Sequence, residues 1–179
     1  MVRCFIGILL PEDVKNRVKL VKKELEELPI KCKFVEDENL HICFSFLGEI
    51  SEGDIKIISE KIDSISKEFR SFDVEIDKIK VIPDEKYIRV LALEVFDKNG
   101  FLNSLSEVVQ KEIGGDGKPP HITLCRVKTI ANKLTVVERI KSMDKVVVNF
   151  NIDRLQLIKS ELKKTGPVYS VVHESKFSV

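Results

Sequence analysis

His41-Ile42-Cys43-Phe44 and His121-Ile122-Thr123-Leu124 are two versions of one short word, and their reading decides the fold. The chain has three histidines in 179 residues, and two of them head these words. Each word begins a run that alternates polar and apolar side chains. Ile42, Phe44 and Phe46 alternate with His41, Cys43 and Ser45; Ile122 and Leu124 alternate with His121, Thr123 and Cys125. Alternation at period two predicts a strand with one buried face. Each histidine is then expected to share its face with a small side chain two places on. Two such strands side by side aim two imidazoles and a hydroxyl at one space, which is the equipment for general acid–base chemistry on an anion.

Outward from these words, the chain reads as strands and helices in a repeated order. Residues 2 to 10 form an apolar run, and Pro11 opens a helix with Val14, Val18, Val21 and Leu25 on one face. A short strand is expected around Lys33 to Val35, then the first histidine strand, ended by Gly48. Ser51 stands where a helix cap is needed before the stripe Ile55, Ile58, Ile62, Ile65. Two strands follow, at 72–82 with an irregularity near Asp77 and at 88–95, joined by Pro83-Asp84-Glu85. The second half runs helix (Leu102 to Ile113), histidine strand, helix (Asn132 to Met143), and two long strands. These last are Val146 to Leu157 and Val168 to His173, around a turn at Thr165-Gly166-Pro167. The pattern predicts an α+β fold: a duplicated, bilobal unit, with two antiparallel-rich sheets facing a central cleft and helices outside. Each half of the sequence is expected to build its own small sheet backed by two helices. A single domain over residues 1–179 suits this length.

Composition narrows the function classes. With 30 basic and 29 acidic residues the net charge is +1, so contact with nucleic acid must be local rather than along a duplex. No secretory signal or apolar stretch of membrane-spanning length is visible. Cys4, Cys32, Cys43 and Cys125 form no Cys-x-x-Cys pair and read as reduced thiols of a cytoplasmic protein. His41, Cys43, His121 and Cys125 can also be read as a zinc set, although His-x-Cys on a strand is unusual for one. Gly114-Gly115-Asp116-Gly117 precedes a strand and lacks the Gly-Lys-[Ser/Thr] ending of a phosphate-binding loop. His173 has no matching context and reads as a hairpin residue.

The flanks of the two words add a resemblance. Met1-Val-Arg-Cys-Phe-Ile-Gly-Ile8, Asn39-Leu-His-Ile-Cys-Phe-Ser-Phe-Leu-Gly-Glu49, Pro119-Pro-His-Ile-Thr-Leu-Cys-Arg126 and Ser160-Glu-Leu-Lys-Lys-Thr-Gly-Pro-Val-Tyr169 carry it. Together they resemble the 2H phosphoesterases, and within them the RNA 2′,3′-cyclic phosphodiesterases, also called 2′-5′ RNA ligases. The resemblance covers nearly the whole chain. It implies hydrolysis of a 2′,3′-cyclic phosphate at an RNA end, or in a small cyclic nucleotide, to a 2′-phosphomonoester. It implies His41 as proton donor and His121 as proton acceptor, roles that spacing alone does not distinguish. It implies that Cys43, Thr123 and Arg126 hold phosphate or nucleotide, in a monomer that needs no metal or other cofactor. Strand parity, however, sends Arg126 to the face opposite His121, so its contact requires the strand to end or twist. The family usually has threonine or serine where this chain has Cys43, and a thiol is the weaker donor. Two alternatives remain: 2′-5′ ligation as the main activity, and a module that binds RNA ends or nucleotides without turnover.

Overall fold

Ten strands and four helices are present in the computed structural model, which describes residues 1–143, 148–164 and 166–178. In chain order they are β1 (Val2–Leu9), α1 (Glu12–Glu26), β2 (Ile30–Phe34), β3 (His41–Ile50), α2 (Glu52–Glu68), β4 (Phe72–Asp84) and β5 (Tyr87–Phe96). Then come α3 (Phe101–Glu112), β6 (Asp116–Gly117), β7 (His121–Ile130), α4 (Lys133–Ser142), β8 (Val148–Ile152), β9 (Arg154–Lys163) and β10 (Gly166–Lys176).

The helices form where the apolar stripes lie and start where caps exist. Val14, Val18, Val21 and Leu25 of α1 are buried. Ser51 and Asp54 close a reciprocal capping box on α2: the Asp54 N–H donates to Ser51 Oγ at 3.1 Å and the Ser51 N–H donates to the Asp54 carboxylate at 2.9 Å. Asp97 does comparable work for α3, accepting from the N–H groups of Phe101 and Leu102. Asn132 caps α4 through Thr135 N. Among the described residues, no helix is long and apolar enough to cross a membrane.

The strands run in the order β10-β9-β1-β3-β7-β5-β4-β8, antiparallel throughout, with β6 added to β3 and β2 added to β7. Two half-sheets are therefore joined through their central strands. One holds β10, β9, β1, β3 and β6; the other holds β2, β7, β5, β4 and β8. The join is a single register pair, Ile42 opposite Ile122.

The halves in space are not the halves of the sequence, which corrects the expectation of two self-contained repeats. β2 leaves the first half-sheet to pair with β7, and β6 crosses back to pair with β3. Helix α2 packs on β9 and β10, and α3 packs on β3, whereas α1 reaches β8. The expected long strand from Val146 to Leu157 is two strands that part at Asp153. β8 joins β4 and β9 joins β1, one in each half-sheet, while positions 146 and 147 lie outside the described residues. The turn expected at Thr165 also lies outside them in part; β10 begins at Gly166. Alternation of apolar residues reports which side chains are buried, not which strand lies alongside, and pairing between distant strands is free to interleave.

Candidate active site

The two histidine words meet at the join between the half-sheets. With Ile42 opposite Ile122 in an antiparallel pair, a local twofold axis passes between them. That axis exchanges His41 with His121 and Cys43 with Thr123. Ile42 and Ile122 are fully buried, so the four flanking side chains point the other way, into the cleft. In a regular ladder, diagonal neighbours such as His41 and His121 are about 7–8 Å apart.

Each strand carries a bulge at the equivalent place. On β3, Cys43 lies opposite Gly7 and Ser45 opposite Ile6, which leaves Phe44 unmatched. On β7, Thr123 lies opposite Ala92 and Cys125 opposite Leu91, which leaves Leu124 unmatched. An extra residue reverses the parity of everything beyond it. Ser45 and Cys125 are thereby turned into the core, each with no exposed surface. This corrects the expectation that they share the faces of His41 and His121. Phe46 and Arg126 are turned into the cleft instead. The parity obstacle for Arg126 is removed by the bulge, not by the end of the strand. Ser45 Oγ donates to Gly114 O and so is not available to a ligand.

The same register explains Gly7. It faces Cys43 where β1 runs closest to the bulged strand, and a Cβ there would collide with Ile42 O. Only glycine lets the two backbones approach so nearly.

Both imidazoles are held alike. His41 Nδ1 lies 2.7 Å from Asn39 O, and His121 Nδ1 lies 2.8 Å from Pro119 O. A carbonyl only accepts, so Nδ1 carries the proton and donates in each ring. The Nε2 atoms are left as the reactive positions. Asn39 is itself fixed: it is buried, and its side-chain amide donates to Pro167 O at 2.6 Å. The start of β10 thus steadies the residue that aims His41.

The surroundings of the two rings differ. Phe5 and Tyr169 pack on His41 with centroids at 4.8 and 5.3 Å, and on one another at 5.0 Å. Burial pushes the His41 pKa below its ordinary value. The Asn39 carbonyl pulls it back up in part, and the nearby His121 and Arg126 push it down further. Burial likewise raises the Tyr169 phenol. His121, closer to solvent, has no such aromatic packing among the described residues.

The Cys43 thiol is pushed up to about 11, chiefly by burial. It is a neutral thiol near pH 7, neither a nucleophile nor a ready metal ligand. The zinc reading fails on geometry. Cys125 faces the core beside Cys32, its pKa pushed up to about 12, on the other side of β7 from His121. Among the described residues no group of three or more His, Cys, Asp or Glu side chains is arranged to hold a metal.

A cleft of about 560 Å³ opens over this join, and all five residues singled out from the sequence line it: His41, Cys43, His121, Thr123 and Arg126. Arg3, whose guanidinium lies 4.9 Å from the Phe46 ring centroid, is a lining cation that sequence reasoning missed. Alternation along β1 was its available signal, since Arg3, Phe5 and Gly7 share a face. Lys33 and Glu36 were missed as well, while Phe34 and Tyr169, which packing alone would have explained, reach the cleft. Lys22, buried under the cleft wall, donates to Val35 O at 2.6 Å and pairs with Asp37, so it anchors the segment that carries Glu36. His173 is elsewhere, on β10, bonded to Asp63 of α2 at 2.8 Å.

A model of the LigT-like phosphoesterases matches residues 8–92. Proteins named RNA 2′,3′-cyclic phosphodiesterase are similar along almost the whole length. The one from Aquifex aeolicus is 30% identical over 97% of this chain and 96% of its own. The one from Methanocaldococcus jannaschii is 30% identical over 96% and 99%. Two solved structures share the fold. Escherichia coli LigT complexed with 3′-AMP has a TM-score of 0.79 at 19% identity, covering 99% and 98% of the two chains. TT0787 of Thermus thermophilus has a TM-score of 0.78 at 23% identity, covering 98% and 97%. Full-length similarity at this level, on a fold with matched histidine strands, establishes that the chain belongs to the LigT-like phosphoesterases of the 2H phosphoesterase family.

Proposed function

We propose that this protein hydrolyses the 2′,3′-cyclic phosphate at an RNA end, or in a small cyclic nucleotide, to a 2′-phosphomonoester. The observation that carries the reading is the matched pair of Nδ1–carbonyl bonds, which leaves two Nε2 atoms beside one gap. The names of the full-length relatives support the substrate. In this scheme His121 Nε2 takes a proton from water, whose oxygen attacks phosphorus in line with O3′. The P–O3′ bond breaks as His41 Nε2 gives its proton to O3′, leaving the phosphate on O2′. Thr123 Oγ1 and the Cys43 thiol donate to the non-bridging oxygens, and Arg126 meets the nucleotide through phosphate or base. The whole chain acts as one bilobal monomer in this reading, and its four free thiols suit the reducing cytoplasm.

The pH profile tests the donor. His41 must be charged to give a proton, yet burial and two neighbouring groups lower its pKa in the free protein. Activity on free substrate is therefore lost as pH rises through a value below about 6.5. A bound phosphodiester anion favours the imidazolium and raises that pKa. The alkaline limb of kcat is expected at higher pH than the alkaline limb of kcat/KM. Coincident limbs, measured with a 2′,3′-cyclic mononucleotide, would contradict His41 as the acid.

Position 43 offers a second test. A thiol donates weakly, and a hydroxyl there would hold the phosphate better by about 1 kcal/mol. Cys43→Thr is expected to raise kcat/KM by roughly fivefold. Cys43→Val, of the same shape without a donor, should not. A threonine variant slower than the parent counts against phosphate binding at this position.

A further inference from the structure

The sheet continues past the cleft as an open face, and its registers place three cations along it. Thr123 lies opposite Ala92, and Ala92 opposite Lys80, so these three form one row across β7, β5 and β4. In the next row Lys33 lies opposite Arg126, Arg126 opposite Val90, and Val90 opposite Ile82. Residues directly opposite share a face, so both rows look the same way as Thr123. Val90, half-buried, and Ala92, fully buried, separate Arg126 on one side from Lys80 on the other. Lys33, Arg126 and Lys80 are exposed.

The charges on this face are unbalanced. Glu94, opposite His121, is already paired with Lys78 at 3.3 Å. Lys33 lies 4.0 Å from Glu36, a loose contact. Among the described residues Arg126 and Lys80 make no ion pair. Lys80 is two strands from Thr123, roughly 10 Å at about 4.8 Å per strand. A second phosphate of a chain whose end occupies the cleft can reach it there. The net charge of +1 over the whole chain makes such a local excess the available electrostatic grip.

We propose that this face is the track for single-stranded RNA leading up to the cyclic end, with Lys80 holding an upstream phosphate two strands from Thr123. The proposal rests on the phosphodiesterase reading for which end of the RNA is bound, and makes the enzyme favour an oligonucleotide over a mononucleotide. A lysine meets the phosphate and not the base, so the grip is independent of sequence.

Lys80 touches neither the histidines nor the cleft, so Lys80→Glu isolates the track. Two measurements are made on parent and variant. One is affinity for a single-stranded oligoribonucleotide ending in a 2′-phosphate, by fluorescence anisotropy across a salt series. The other is turnover of a 2′,3′-cyclic mononucleotide. The variant is expected to bind the oligonucleotide about fivefold more weakly at low salt, with a salt slope shallower by about 0.7. Its mononucleotide turnover is expected to equal the parent's. Oligonucleotide affinity and slope unchanged in the variant overturn the track, whatever the turnover. A parent that turns over neither a cyclic mononucleotide nor an oligoribonucleotide with a 2′,3′-cyclic end removes the phosphodiesterase reading instead, and the binding comparison still judges the track.

Discussion

Alanine at either His41 or His121 is expected to lower kcat on a 2′,3′-cyclic phosphate by about 10²–10⁴-fold. Each imidazole moves one proton, and neither Cys43 nor Ser45 replaces it. The Cys43 thiol stays protonated until about pH 11, and Ser45 is spent on Gly114 O inside the core. The double variant should be little worse than the worse single one, because acid and base serve one transition state. Stability provides the control. His41 is packed by Phe5 and Tyr169, so its removal costs about 1–2 kcal/mol and shifts Tm by a few degrees. The less buried His121 should shift it less. Near-normal turnover in a folded variant of either kind would remove the two-histidine mechanism.

The second large effect lies outside the reacting groups. Gly7→Ala is expected to cost about 3 kcal/mol, a fall in Tm of roughly 6–12 °C. The added Cβ would meet the carbonyl of Ile42, backbone that no rotamer change can move aside. Relief requires β1 and β3 to separate at the bulge, between His41 and the buried Ser45. Activity measured well below the transition should therefore fall too, since His41 is displaced from its partner across the cleft. A variant with unchanged Tm and unchanged kcat would show that the close approach at Gly7 is not needed.

The sequence made the histidines legible because their evidence is local: the same residue types, in the same order, at the head of two alternating runs. The helices were legible for the same reason, through Val14 to Leu25 on α1 or Ser51 before α2. The bulges were not. Whether Phe44 and Leu124 are extra residues depends on how β1 and β5 align beside them, a property of pairs of strands rather than of either alone. Parity read along one strand therefore assigned Ser45, Cys125 and Arg126 to the wrong faces. The resemblance grouped Arg126 with the residues of the histidine words, and the bulge places its side chain in the cleft that they line. The split at Asp153 escaped notice similarly. Leu155 and Leu157 are as buried as Phe150 and Ile152, and burial does not say in which half-sheet.

The exchange of β2 and β6, with the parting of β8 from β9, means that the chain passes from one half-sheet to the other six times. Such lacing resists any motion that would spread the walls, because every passage would be pulled taut together. The expected consequence is a mouth whose gape changes little between the free and the occupied states, with cargo entering along the open rim.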